Sequence, residues 1–80
     1  MERLVGYCVG TPQRELLAAA GVRGPDLAWF GWVSHPNDAL VFSLPAALRM
    51  VKSMNRDDRF VVQLWDRGDS YAIPWPDDNR

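Results

Sequence analysis

The chain has one cysteine and one histidine, Cys8 and His35, the residue types of a thiolate nucleophile and its base. A thiolate needs a nearby cation, a helix N-terminus or a base to lower its pKa, and no motif around either residue supplies one. Structural zinc needs three or four closely spaced ligands, which this pair cannot provide. The sequence therefore predicts no catalytic residue, no metal site and no cofactor, and Cys8 is interpreted as a buried strand residue.

Charge and glycine spacing bear on nucleotide and nucleic-acid binding. The glycines form neither a dinucleotide-binding fingerprint nor a phosphate loop. Nine basic and ten acidic residues leave a formal net charge of -1, which disfavours both a strongly basic nucleic-acid binder and an acidic mimic of DNA. Residues 39–43 lack the basic and aromatic run of an RNA-recognition motif. The sequence therefore disfavours nucleic acid as a partner, although base stacking on Trp29, Trp65 or Tyr7 stays an alternative.

Five residues are the candidates for binding a protein partner. Arg49, Lys52 and Arg56 fall within about 60° of one another on a predicted helix, which would give a cationic stripe. Trp65 and Tyr71 belong to the last predicted hairpin. Tryptophan, tyrosine and arginine are enriched in interface hot spots, so these two aromatic residues are predicted anchors. Alternatively, the three cations lie on a solvent-exposed face near the C-terminal end of the helix, where positive charge interacts favourably with the helix dipole.

Turn and capping signals divide the chain into short elements. Thr11 can cap a helix with Pro12 at its first position, and helix formers continue from there to Ala20. Ser43 can cap a second helix with Pro45 in its first turn. The pattern predicts helices over 11–20 and 43–55 and strands over 3–9, 28–34, 39–42, 59–65 and 71–73.

The predicted order is β-α-β-β-α-β-β, in a single α+β domain over 1–80 with a frayed tail over 76–80. Such an order matches an antiparallel sheet with two helices on one face, in a ferredoxin-like arrangement or a close variant. An α+β sheet with another strand order stays open.

Alternation along the fourth predicted strand places Trp65 on the face opposite Phe60, Val62 and Leu64. If those three face the helices, Trp65 lies on the uncovered face. The C-terminal segment with Trp75 would fold back over that face, or a partner would cover it. The expected states are a homodimer or a monomer.

The chain resembles, by its small size, its compactness and its lack of a catalytic motif, the solitary inhibitor proteins that phages encode, in particular anti-CRISPR proteins. The resemblance implies a non-enzymatic protein that docks on a CRISPR effector complex and blocks DNA recognition or nuclease recruitment. A small nucleic-acid-binding protein, a phage regulatory protein and a toxin–antitoxin partner are the alternatives. The single cysteine and the absence of a signal-like or membrane-spanning run predict a location in the cytoplasm, that of the host if a phage encodes the chain, with no membrane association.

Overall fold

A computed structural model describes residues 2–23 and 27–76. Its five strands form one antiparallel sheet in the order β3-β2-β1-β4-β5. The turn expected around Gly24 and Pro25 and, beyond Pro76, the expected frayed tail lie outside these residues. The elements are β1 (Arg3–Gly10), β2 (Leu16–Arg23), β3 (Leu27–Val33), a 3-10 turn (Pro36–Asp38), α1 (Leu44–Met54), β4 (Phe60–Asp66) and β5 (Tyr71–Ala72).

Strand β2 lies where the sequence predicts a helix, so the ferredoxin-like arrangement with two helices is wrong. The Thr11 hydroxyl accepts hydrogen bonds from the backbone N–H of Gln13 at 3.2 Å and of Glu15 at 3.3 Å. The Thr11 N–H donates to the carbonyl of Glu15 at 3.0 Å, and Arg14 takes a left-handed φ of 62°. The expected helix cap therefore closes a tight turn, and the chain returns antiparallel to β1.

The sheet consists of two strand pairs that touch at one place. Strands β1 and β4 pair along their length, and so do β2 and β3. Between β1 and β2 the only paired residues are Gly10 and Leu16, in the part of the chain that the structure describes. Beyond this point β1 and β2 diverge, and β2 with β3 forms a two-stranded arm.

Residues 39–42 fill the gap where β1 and β2 diverge. The Leu40 N–H donates to the Leu17 carbonyl at 2.9 Å, and Phe42 and Tyr7 exchange backbone hydrogen bonds of 2.7 and 2.9 Å. The strand predicted here, and its hairpin with the preceding strand, are therefore wrong. The segment crosses from one strand pair to the other and makes a single bridge instead.

The sheet has two faces, and the larger core lies on the one called here the first face. Cys8, Leu16, Val62 and Leu64 are buried there. The partly buried residues that pack against them come from the strand ends, the 3-10 turn and the C-terminal segment: Val33, Ala39, Phe60, Ile73 and Trp75. The C-terminal segment thus folds back over the sheet, but on the face opposite Trp65 rather than on the face predicted.

Helix α1 packs against β1 and β4 on the second face, where Val9, Leu17 and Ala47 are fully buried. The predicted helix is confirmed: the Ser43 hydroxyl accepts from the Ala46 N–H at 3.4 Å, and a left-handed Asn55 ends the helix. Within residues 2–23 and 27–76, no helix has both the length and the apolar character needed to cross a bilayer.

Candidate functional site

Aromatic residues of β3 and arginines that follow α1 line one small pocket of about 180 Å³. The pocket lies where the two-stranded arm meets the C-terminal end of the helix. We call its lining the arginine–tryptophan surface: Trp29, Phe30, Trp32, Met54, Arg56 and Arg59.

Arg59 is the most constrained cation of this surface. Its guanidinium carbon lies 4.9 Å from the centroid of the Trp32 ring, which is the geometry of a cation–π contact. Its Nη1 donates to the Asp58 backbone carbonyl at 3.2 Å and forms an ion pair with the Asp58 carboxylate at 2.8 Å. Its Nε is buried and has no hydrogen-bond partner within the described ranges. The stack on Trp32 thus holds the positive charge in place while part of its donor capacity stays unused.

Asp58 joins the two arginines of the surface. Its carboxylate accepts two hydrogen bonds from Arg56, from Nε at 3.0 Å and from Nη2 at 3.2 Å, and it forms an ion pair with Arg59. The hydrogen bond from Arg56 is the main cause that lowers the pKa of Asp58, and Asp58 in turn raises the pKa of Arg56. Because a guanidinium has five N–H donors, Arg56 keeps three for another acceptor.

Trp29 also lines the pocket, although it points to the face of β3 opposite Trp32, and it is fixed by the neighbouring strand. A Cβ built on Gly21 would lie 2.6 Å from the Trp29 Nε1, so only glycine leaves room for the indole at this cross-strand pair. The side chain nevertheless remains 40% exposed. Its position is therefore set before any partner arrives, while much of its apolar surface is still in water.

The predicted cationic stripe is interrupted at the end of α1. Arg49 and Lys52 are exposed on the helix. Arg56 lies beyond the helix, because Asn55 leaves the helical conformation, and it joins the arginine–tryptophan surface. The structure therefore separates Arg56 from the other two cations.

The two predicted anchors do not share a surface. Trp65 pairs with Ala72 and Asp66 pairs with Tyr71, so Trp65 and Tyr71 point to opposite faces of the sheet. The Trp65 indole N–H donates to the Gln63 side chain at 3.0 Å. Tyr71 lines a separate cleft of about 450 Å³ with residues of the 3-10 turn, and it is 44% exposed.

Sequence reasoning did not assign Trp32 or Arg59 to a site. A signal was present in the two uncharged runs, 16–22 and 27–33, on either side of a short charged connector. Such runs indicate a hairpin with two apolar faces, whose aromatic side chains need cover from elsewhere. No local sequence pattern indicates that the segment after α1 covers these side chains.

Cys8 lies in the core, whereas His35 lies at the surface. Cys8 is fully buried, and burial raises the pKa of its thiol to about 11. His35 is exposed beside the 3-10 turn. In the residues that the structure describes, no three His, Cys, Asp or Glu side chains are grouped so as to hold a metal ion.

We expect the native Cys8 thiol to resist iodoacetamide near neutral pH and to react only when the protein unfolds, because the thiolate is the nucleophile. The raised pKa means that the folded protein holds this proton more tightly than the unfolded chain. Its contribution to stability is present below the unfolded pKa and is lost as pH rises through about 11. Urea unfolding near pH 7 and pH 10 should show that Cys8→Ala removes part of the alkaline loss. Rapid labelling of the folded protein would contradict this account.

The arginine–tryptophan surface combines aromatic faces, a thioether and two guanidinium groups. This combination is enriched at the centres of protein interfaces, where aromatic and arginine side chains carry most of the binding energy. No family model, no curated protein and no solved structure matches this chain. The chemistry of the surface is therefore the basis on which a function is proposed.

Proposed function

We propose that the protein acts by binding another protein, without catalysing a reaction, and that the partner docks on the arginine–tryptophan surface. The observation that carries the proposal is the Arg59 guanidinium held 4.9 Å from the Trp32 ring beside the more exposed Arg56. Side chains fixed before binding lose little conformational entropy when a partner arrives. The surface thus favours a partner that presents an apolar side chain next to a carboxylate.

The specific form that we propose is a phage inhibitor of the anti-CRISPR type that occupies part of a CRISPR effector complex. An 80-residue chain can cover about 800 Å² of a partner, which is the area that one side of a specific complex commonly buries. With a formal net charge of -1, the chain lacks the dense negative charge of a DNA mimic. The mode of action that fits is steric blocking of DNA recognition or of nuclease recruitment.

Capture from host lysate with the immobilised protein, with and without nuclease, tests the class of partner. We expect capture to survive nuclease and the captured subunits to belong to one effector complex. The purified complex should then bind the protein and lose target-DNA binding or nuclease recruitment. Capture that disappears with nuclease would support the nucleic-acid alternative instead.

Paired charge reversals locate the site once the partner is purified. Arg56→Glu and Lys52→Glu make the same change of charge, the first on the arginine–tryptophan surface and the second on the outer side of α1. We expect Arg56→Glu to slow association by about tenfold or more and to reduce its salt dependence, while Lys52→Glu has little effect. The reverse ranking would place the site on the helix with Arg49. Loss of binding with Trp65→Ala alone would place it on the final hairpin.

A further inference from the structure

The outer edge of β3 is unpaired among the described residues. Strand β3 is the terminal strand of the sheet, and no backbone hydrogen bond reaches its outer side there. Its seven residues, Leu-Ala-Trp-Phe-Gly-Trp-Val, include no charge and no proline. Soluble proteins commonly protect such edges with lysine, proline, a bulge or a covering segment, because an open edge pairs with other strands.

The edge strand at the opposite end of the sheet has such protection. Strand β5, at the opposite end, has only two residues and is followed closely by Pro74 and Pro76. On the side of β2 away from β3, the Leu40 N–H donates to the Leu17 carbonyl, so the crossing segment covers part of that edge. Strand β3, by contrast, has seven residues and none of these features.

We propose that β3 pairs antiparallel with β3 of a second copy of this chain, about a two-fold axis at Phe30. Phe30 is the middle residue of the seven, so this register overlaps the two strands over their full length. It places Leu27 opposite Val33 of the second copy and Trp29 opposite Gly31 of the second copy. Pairing of this kind makes one continuous ten-stranded sheet from two five-stranded sheets.

The steric pattern of β3 fits this register. Gly31 pairs with Ala19 of β2, and a Cβ built on Gly31 would meet the Ala19 Cβ at an ordinary 3.5 Å. The strand surface around Gly31 is therefore low and apolar, opposite the bulky indole of Trp29 from the second copy.

A second copy fits this edge better than the strand of another protein. The edge strand is uncharged, so two copies do not repel each other and no charge selects a complementary sequence. A two-fold pair uses the same surface on both sides and closes after two copies. Since β5 is protected, the assembly should stop at the dimer. The dimer would also carry two arginine–tryptophan surfaces, a consequence that rests on the proposed function.

Sedimentation velocity over a range from micromolar to near-millimolar protein tests the proposal. We expect the full chain to reach twice its 9.1 kDa mass, without larger species. Trp29→Lys should shift it to the monomer, because a lysine on an edge strand blocks pairing. Leu48→Lys is the matched control, since Leu48 is 54% exposed on α1 and the substitution adds the same charge without touching the edge.

Hydrogen exchange of the wild-type chain gives a second readout that needs no variant. The outward-pointing amides of β3 should be protected more at high than at low protein concentration, whereas those of β4 should not change. A chain that stays monomeric with concentration-independent exchange would overturn the proposal, as would open-ended oligomers. Trp29 also lines the arginine–tryptophan surface, so a monomeric chain that loses a captured partner through Trp29→Lys but keeps it in Arg56→Glu would assign the edge to another protein. Capture of a partner without dimerisation would leave the proposed function intact and overturn the dimer. Dimerisation without capture would support the dimer and count against the proposed function.

Discussion

Replacing either Leu16 or Leu17 by alanine is expected to lower the free energy of unfolding by about 2–5 kcal/mol. The two residues are 1% and 0% exposed although they are neighbours in sequence. Adjacent residues of a strand point to opposite faces, so Leu16 fills the core under the C-terminal segment and Leu17 fills the one under α1. Each truncation therefore opens a cavity in a different layer. Urea unfolding of the two variants measures both losses.

The double variant distinguishes this strand from the helix that the sequence predicts. In a helix, both leucines would lie on one apolar face and their truncations would couple. In β2 they have different neighbours, so the two losses should nearly add. Leu48→Ala, at an exposed position of α1, should change stability by no more than about 0.5 kcal/mol. Tolerance of either core truncation would contradict the two-layer arrangement.

Several elements follow from local sequence signals. Ser43 and Pro45 mark the start of α1, and β4 is predicted from its alternation of β-branched and aromatic residues. The exposure of Leu44 and Leu48 does not follow from the pattern, because the helix is rolled so that Ala47 faces the sheet. Local sequence rules thus predict the presence of a helix or strand. They predict less well which of its sides is buried.

Strand β2 shows why the rest of the fold could not be predicted. The run Leu-Leu-Ala-Ala-Ala favours a helix by intrinsic propensity, and Thr11 with Pro12 serves equally as a helix start or as a tight turn. The strand conformation is decided by contacts between residues that are distant in sequence. Small residues on β2 lie opposite larger ones on β3, with Ala20 beside Phe30 and Gly21 beside Trp29. A pattern read one segment at a time does not contain this complementarity.

The candidate site depends even more on contacts between residues that are distant in sequence. Arg56 has a place in a predicted helical stripe, but the left-handed Asn55 ends α1 before it. Arg59 reaches Trp32 only because β3 lies at one end of the sheet and α1 ends beside it. The residue types in the sequence were enough to suggest binding of a protein partner. The position of the arginine–tryptophan surface depends on the strand order of the sheet, which the sequence did not predict.

Removal of the Trp75 side chain is expected to cost about 3 kcal/mol of stability, toward the low end for a large aromatic residue because Trp75 is only partly buried. The indole meets the Phe60 ring edge-on, with centroids 6.3 Å apart and an angle of 86°. It also covers Gly10, where a Cβ would lie 2.7 Å from the Trp75 Cζ3. Trp75→Ala and a chain truncated after Ile73 should therefore lose similar stability, measured by urea unfolding.

A truncation after Pro76 is the control, because it removes residues 77–80 and keeps Trp75. Gly10→Ala provides a further check on the same contact. The added methyl must displace the indole, so it should destabilise the wild-type chain but cost much less in the Trp75→Ala background. Equal costs in the two backgrounds would show that the indole does not lie over Gly10. Unchanged stability after truncation at Ile73 would show that the C-terminal segment does not cover the core, which would leave that face of the sheet open.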